Sequence, residues 1–246
     1  MTICFHVDDC KLSHKQPKQM DMMIKWLREE YESIFEDGSV KMSVIRGKVH
    51  TYLGMTLDYT TRGRVKVTML DHVNDIIVAF EKAEPDSGGV KSSAAPENLF
   101  KIDEDCEKLA PKKKEVFHHL VAKTLCVTKR ARPDTCTAVA FLTTRVRAPD
   151  KDDWTKMVHM MKYIRGTRSL PLILSANGTG ILKWWIDASF GVHPNMRGHI
   201  GGGLSMGTGF PIVTSIKQKL NTRSSTETEI VGVDDCMPAM LWKSLS

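Results

Sequence analysis

Long apolar runs are missing from this chain of 246 residues. None approaches the roughly 20 residues that a membrane-spanning helix needs, and no signal-peptide pattern opens the sequence. The six cysteines (Cys4, Cys10, Cys106, Cys126, Cys136 and Cys236) are scattered, without a C-x-x-C pair. Such spacing gives no sign of a zinc site or a disulfide framework and fits reduced thiols inside a cell. Aromatic residues make up only 7% of the chain, so a base-stacking platform has little material. No internal repeat is present. The remainder, 41% hydrophobic and 26% charged, is ordinary for a globular protein. The length allows one large or two small domains with real cores.

Net charge is +6. The excess is modest but clumped: "KKK" at 112–114, "KRAR" at 129–132, Arg145 and Arg147, then "KQKLNTR" at 217–223. Clustered Lys and Arg are the electrostatic footprint of a polyanion binder. A solvated basic surface accounts for the charge alone equally well.

Hydrophobic periodicity outlines the elements. Ile3, Phe5 and Val7 alternate with polar neighbours, then "DD", then a second alternation through Leu12: two strands with carboxylates at the tip. Met20, Ile24, Leu27, Tyr31 and Ile34 fall at helical spacing, so a helix is predicted from Met20 to Phe35. Residues 49–69 read as paired strands, followed by a short helix carrying Val73, Ile76, Ile77 and Phe80. Residues 84–98 are rich in Pro, Gly and Ser and read as a linker. Residues 111–147 read as helix broken at Pro133. Asp150 can cap a helix with a Trp154, Met157, Val158, Met161 and Ile164 stripe, ending near Gly166. Three strand-like runs and a last helix from "SSTETE" complete the chain.

Two places carry candidate chemistry. Asp8 and Asp9 sit side by side at the first hairpin, where a plain solvated turn is the ordinary explanation. In "KWWIDASF", Asp187 falls mid-strand in apolar company, and a buried lone carboxylate needs a partner or a metal. Downstream, Ser224 and Glu227 form a capping box, which explains Glu227. Glu229 heads a stripe with Val233, Cys236 and Met240, which predicts that it points at the sheet. An inward Glu facing an inward Asp suits a divalent ion with hard oxygen ligands. Sharing such an ion would set the two carboxylates roughly 3–6 Å apart. Asp234 and Asp235 lie about 140° and 240° around the helix from Glu229, so both are expected to face away.

The order of these features resembles copia-type (Pseudoviridae) retrotransposon Pol polyproteins. "FHVDDCKLSH", "YLGM", "VAKTLCVTKRARPD", "MKYIRGT", "WWIDASF" and "KQKLNTRSSTETEI" follow one another as they do there, and the resemblance covers nearly the whole chain. One departure is His6, where the family usually has an aromatic residue before "VDD".

The resemblance implies an α+β architecture: the end of a reverse-transcriptase palm hairpin plus thumb and connection helices, followed by a truncated ribonuclease H-like half-domain of three strands and one helix. The implied segments are palm end, primer grip and thumb over 1–83, a linker over 84–98, thumb and connection helices over 99–175, and the ribonuclease H-like part over 176–246. It implies Asp8, Asp9, Asp187 and Glu229 as catalytic, Mg²⁺-binding carboxylates, in RNA-directed DNA synthesis and in hydrolysis of RNA in hybrids. It implies Lys129, Arg130, Arg132, Lys217, Lys219 and Arg223 as contacts to nucleic acid. The implied partners are RNA, DNA, RNA–DNA hybrid and the remainder of the Pol polyprotein, with no membrane. The implied location is intracellular, in cytoplasmic virus-like particles. Each family site also uses a further carboxylate: only seven residues precede Asp8, and seventeen follow Glu229. The expectation is therefore a fragment without catalytic turnover, and its alternative is a non-catalytic hybrid-binding module.

Overall fold

The computed structural model describes residues 1–32 and 41–245, with side chains described to residue 241. Two strands, β1 (Thr2–His6) and β2 (Asp9–Ser13), form an antiparallel hairpin of their own. The turn between them holds Val7 at φ 54°. Helix α1 (Pro17–Tyr31) follows, with proline in its first turn, where no intrahelical donor is lost. Its only buried residue is Ile24. Ile34 and Phe35 of the expected helix lie outside the described residues.

The expected paired strands become β3 (Val49–Tyr52), β4 (Met55–Asp58) and β5 (Arg64–Thr68). "YLGM" is not one continuous strand, because a tight turn at Leu53 and Gly54 separates β3 from β4. Gly54 has φ +75°, and a Cβ there would come within 2.7 Å of the His72 ring. Glycine is therefore required on both counts.

Helices α2 (Leu70–Ala83), α3 (Pro111–Thr128), α4 (Cys136–Arg145) and α5 (Lys151–Gly166) pack together on this sheet. Strand β6 (Leu172–Ala176) then returns to pair with β5. One core unites these parts: Leu57 and Val67 from the sheet meet Ile76, Phe80, Phe117, Leu120, Leu142 and Met157 from the helices. It runs across the expected boundary between 1–83 and 99–175. Residues 84–98 contain no strand or helix, yet they are held down rather than loose. Ala94 is buried, the Arg165 guanidinium donates to the carbonyls of Ser87 and Gly89, and His159 meets the Ser93 carbonyl.

Asp150 caps α5 as the sequence predicts, and Asp153 closes a reciprocal capping box. Arg145 bridges both carboxylates at 3.0 and 2.9 Å, tying the end of α4 to the start of α5. Lys156 is buried beside them, paired with Asp152 at 2.7 Å and bonded to the Lys101 carbonyl.

The last third builds a second antiparallel sheet in the order β10-β8-β7, from β7 (Lys183–Ser189), β8 (His199–Ser205) and β10 (Ile212–Lys217). A two-residue strand, β9 (Gly207–Thr208), leaves to pair with β6, giving a five-stranded sheet β3-β4-β5-β6-β9. Helix α6 (Ser225–Leu245) lies on β7. Small residues allow the close approach: Gly232 faces Ala188 and Ile186, and a Cβ on Gly202 would meet Thr214 at 2.9 Å and Cys236 at 3.5 Å. The core under α6 is small, with Ala188, Ile200 and Cys236 buried and Ile186 and Met240 beside them. On the other side of the sheet, β10 meets α4. Among the described residues, no helix is long and apolar enough to cross a membrane.

Candidate nucleic-acid interface and carboxylate pairs

Strand parity fixes where Asp187 points. Ile186 and Ala188 face α6, so Asp187 between them faces the other side of the sheet. It is exposed, contrary to the burial expected from its apolar neighbours. In a three-stranded sheet with β7 at the edge, the far face at Asp187 has little to cover it: its cross-strand partner is Gly201, which has no side chain.

Glu229 is exposed too. The buried stripe of α6 runs through Thr228, Gly232 and Cys236, one position away from the stripe predicted through Glu229 and Val233. The Glu229 carboxylate nevertheless reaches β7. Its Oε1 accepts the N–H of Ala188 at 3.2 Å. The sequence places both carboxylates at the same strand, and the structure agrees, but they approach from opposite faces around an open edge rather than across a buried interface.

Asp234 is exposed, as predicted. Asp235 is not turned away: it is half-buried, and its Oδ2 is buried without a hydrogen-bond partner among the described residues. It lies seven residues from Thr228, two helical turns along the same stripe. Glu227 accepts the N–H of Arg223 at 2.6 Å, while its own N–H donates to Ser224 Oγ at 3.1 Å. The cap therefore closes on Arg223, one residue earlier than a strict box.

At the first hairpin Asp8 and Asp9 are exposed, with Asp9 opposite His6 in the register. Tyr52 lies close by: its phenol is pushed up by burial first and then by Cys4, Asp9 and Cys10. Lys11 sits 5.4 Å from the Tyr59 ring centre. The "VDD" hairpin and the "YLGM" turn are thus neighbours in space.

Among the described residues, no group of three or more His, Cys, Asp or Glu side chains is placed to hold one ion. Each carboxylate pair stands alone. Two exposed carboxylates leave most of the coordination of a hard divalent cation to water or substrate, so neither pair closes a metal centre with protein ligands alone.

The basic residues separate into two groups. Arg132 is buried, with its guanidinium clamped on Asp134 at 2.7 Å and on Thr167 Oγ1 at 2.6 Å. Tyr163 donates to the same Asp134 at 2.8 Å. Arg132 is therefore a structural brace and not the phosphate contact the cluster suggested. Lys129, Lys217, Lys219 and Arg223 are exposed, and Arg130 is half-buried against Cys126. None of these five forms an ion pair among the described residues. Lys129 and Arg130 border a crevice of about 250 Å³ that also touches Phe210 and Val213 of the second sheet.

Sequence reasoning passed over two features. One is a hollow of about 380 Å³ lined by Tyr59, Arg64, Leu174, Met206 and Pro211, which holds none of the candidate carboxylates. The other is Arg197, isolated in "NMRGH" and outside every basic run, whose Nε is buried without a hydrogen-bond partner among the described residues. A lone arginine beside a glycine-rich strand gives no signal until the strands are paired.

Comparison with known proteins finds one curated relative at a significant level. The chain is 23% identical over 218 residues to a Saccharomyces cerevisiae protein described as "Putative transposon Ty5-1 protein YCL074W". The similarity spans 88% of this chain and 65% of that protein. No family model matches, and no solved structure matches. The chain is similar, at a distance, to a transposon protein.

Proposed function

We propose that the chain is the reverse-transcriptase/ribonuclease H segment of a copia-type retrotransposon polyprotein, and that its own activity is to hold an RNA–DNA hybrid through phosphate contacts. The observation that carries the binding reading is the set of five cations without an acidic partner among the described residues, Lys129, Arg130, Lys217, Lys219 and Arg223. Cations that neutralise phosphates release counterions, and this gives affinity without sequence selection. The transposon relative and the order of the six motifs support the family reading. On that reading the protein works with the rest of a Pol polyprotein, in a cytoplasmic virus-like particle.

In such polyproteins Mg²⁺ supplies the two-ion chemistry of strand synthesis and RNA cleavage. Neither carboxylate pair described above completes such a centre with protein ligands alone, so no catalytic step is assigned to this chain. A second reading rests on the Glu229–Ala188 contact: Asp187 and Glu229 would be one half of a nuclease site, and another chain would supply the remaining carboxylates.

Fluorescence anisotropy with a labelled RNA–DNA hybrid tests the binding reading. Affinity should fall linearly on a log–log plot against salt, with a slope of about −3 to −5 for that many phosphate contacts. Absence of binding at low salt, or binding indifferent to salt, overturns it.

A further inference from the structure

Strand β8 begins at His199 and β10 ends at Lys217, directly opposite in the register. Arg197 enters from the turn before β8, where its carbonyl accepts the N–H of His193 at 3.2 Å. Two cations therefore share one end of the sheet, and neither is paired with an acid among the described residues. The Lys217 ammonium is held below the ordinary lysine value, by burial first and then by the Arg197 charge. Arg197 Nε is buried and has no hydrogen-bond partner among the described residues.

A buried donor left unpaired on a charged group is unfavourable unless an acceptor arrives. Two like charges held together are unfavourable for the same reason: the counter-charge is absent. Among the described residues neither cation forms an ion pair, and Gln218 beside them offers a neutral amide oxygen. His193 and His199 are uncharged at neutral pH, both pushed down to about 4. Lys219 and Arg223 add positive charge on the following loop. That loop is tied to the Arg197 turn by Asn221, whose amide donates to the Asn195 carbonyl at 3.1 Å. Glu227, the acid nearest in sequence, is occupied in capping α6.

We propose that Arg197 and Lys217 form a phosphate-binding site, with the outer guanidinium nitrogens of half-buried Arg197 and the exposed ammonium donating to the oxygens of one phosphate group. The guanidinium suits a planar two-oxygen contact, and the lysine adds a point charge. A polynucleotide phosphodiester and a free phosphate share this chemistry. The polynucleotide source rests on the hybrid-binding reading above, but the site itself does not.

NMR on the full chain tests it, following the side-chain nitrogens of Arg197 and Lys217 during separate titrations with inorganic phosphate and with a 12-base-pair RNA–DNA hybrid. Phosphate should raise the Lys217 pKa and shift the Arg197 Nε–H resonance. R197Q and K217Q should each weaken phosphate binding about tenfold, whereas K129Q should not. R197K retains the charge and loses the two-oxygen contact, so its affinity should fall between those of wild type and R197Q, and matching backbone spectra show that the variants fold. If both ligands move the two signals, the source is backbone phosphate. If inorganic phosphate alone moves them, the site stands and hybrid binding at this corner is excluded. If the hybrid binds while neither ligand moves either signal, the site is overturned and the hybrid-binding reading survives. If nothing binds, both fall.

Discussion

His193 Nε2 lies 3.1 Å from His199 Nδ1, and the far nitrogen of His199 lies 2.7 Å from Ser215 Oγ. The chain ends on α4, where Ser215 donates to Thr137 Oγ1 at 3.3 Å. One set of tautomers satisfies every atom. His193 donates to His199, His199 to Ser215 and Ser215 to Thr137, with both rings neutral. Phe100 packs against both rings, 4.7 Å from each centre. This polar thread joins the second sheet to the helices.

Acid should cut the thread. Burial lowers the pKa of both histidines from 6.5 to about 4, and Lys217 and then His199 add to the effect on His193. The unfolded chain therefore binds more protons than the folded one between pH 6.5 and about 4. Stability is fully present above pH 6.5 and is lost progressively as pH falls to about 4. Allowing for water screening and shared protonation, the loss should be on the order of 3 kcal/mol for the pair. Urea unfolding at pH 7 and at pH 4.5, with wild type and H199Q, checks this. H199Q should flatten the pH dependence, and an unchanged slope would refute the assignment.

Arg132 tests the division among the basic residues. Removing its side chain leaves Asp134 and Thr167 without their shared donor. Loss of one partner from a buried pair costs about 3–5 kcal/mol, and the partial exposure of Asp134 puts the expected loss near 3. R132A should lower the unfolding midpoint and leave the salt dependence of hybrid binding unchanged. K129Q should do the reverse, lowering the salt slope by about one with little effect on stability.

These contrasts show what the sequence could express. Periodicity located the helices over Val73–Phe80 and Trp154–Ile164, because each buries a continuous stripe in the main core. The Asp150 cap was legible because capping is local. Arg132 was not: "KRAR" reads as a basic run, and only folding brings Thr167 to the guanidinium. Apolar neighbours predict burial of Asp187, but burial of a strand face depends on what lies across it, here the bare Gly201. The stripe of α6 was misplaced by one residue, since Ile230, Val233, Met237 and Leu241 form an apolar row that remains exposed. Two apolar rows on one helix leave the inward face undetermined by pattern alone.

That exposed row predicts association. Ile230, Val233, Met237 and Leu241 lie on α6, while Phe5 and Val7 project from the first hairpin. Contiguous exposed apolar surface favours aggregation, and a net charge of +6 opposes it only weakly. Light scattering on the isolated chain should show concentration-dependent association, reduced in V233E/M237E. A monodisperse wild-type monomer would contradict the prediction.

The last prediction separates the carboxylate pairs from metal chemistry. Asp187 is exposed, and Glu229 spends one oxygen on the Ala188 N–H. Ion binding strong enough for turnover would need ligands that the described residues do not bring together. Primer extension and hybrid cleavage with Mg²⁺ or Mn²⁺ should therefore be absent. D8N, D9N and D187N should match wild type in both assays and in stability, because none of these side chains is buried. E229Q differs: a neutral amide oxygen can still accept the Ala188 N–H, but more weakly than a carboxylate. It should lower stability by about 1 kcal/mol, read as faster amide exchange at Ala188. Metal-dependent cleavage that survives purification and disappears in D187N would overturn this account and favour the half-site reading.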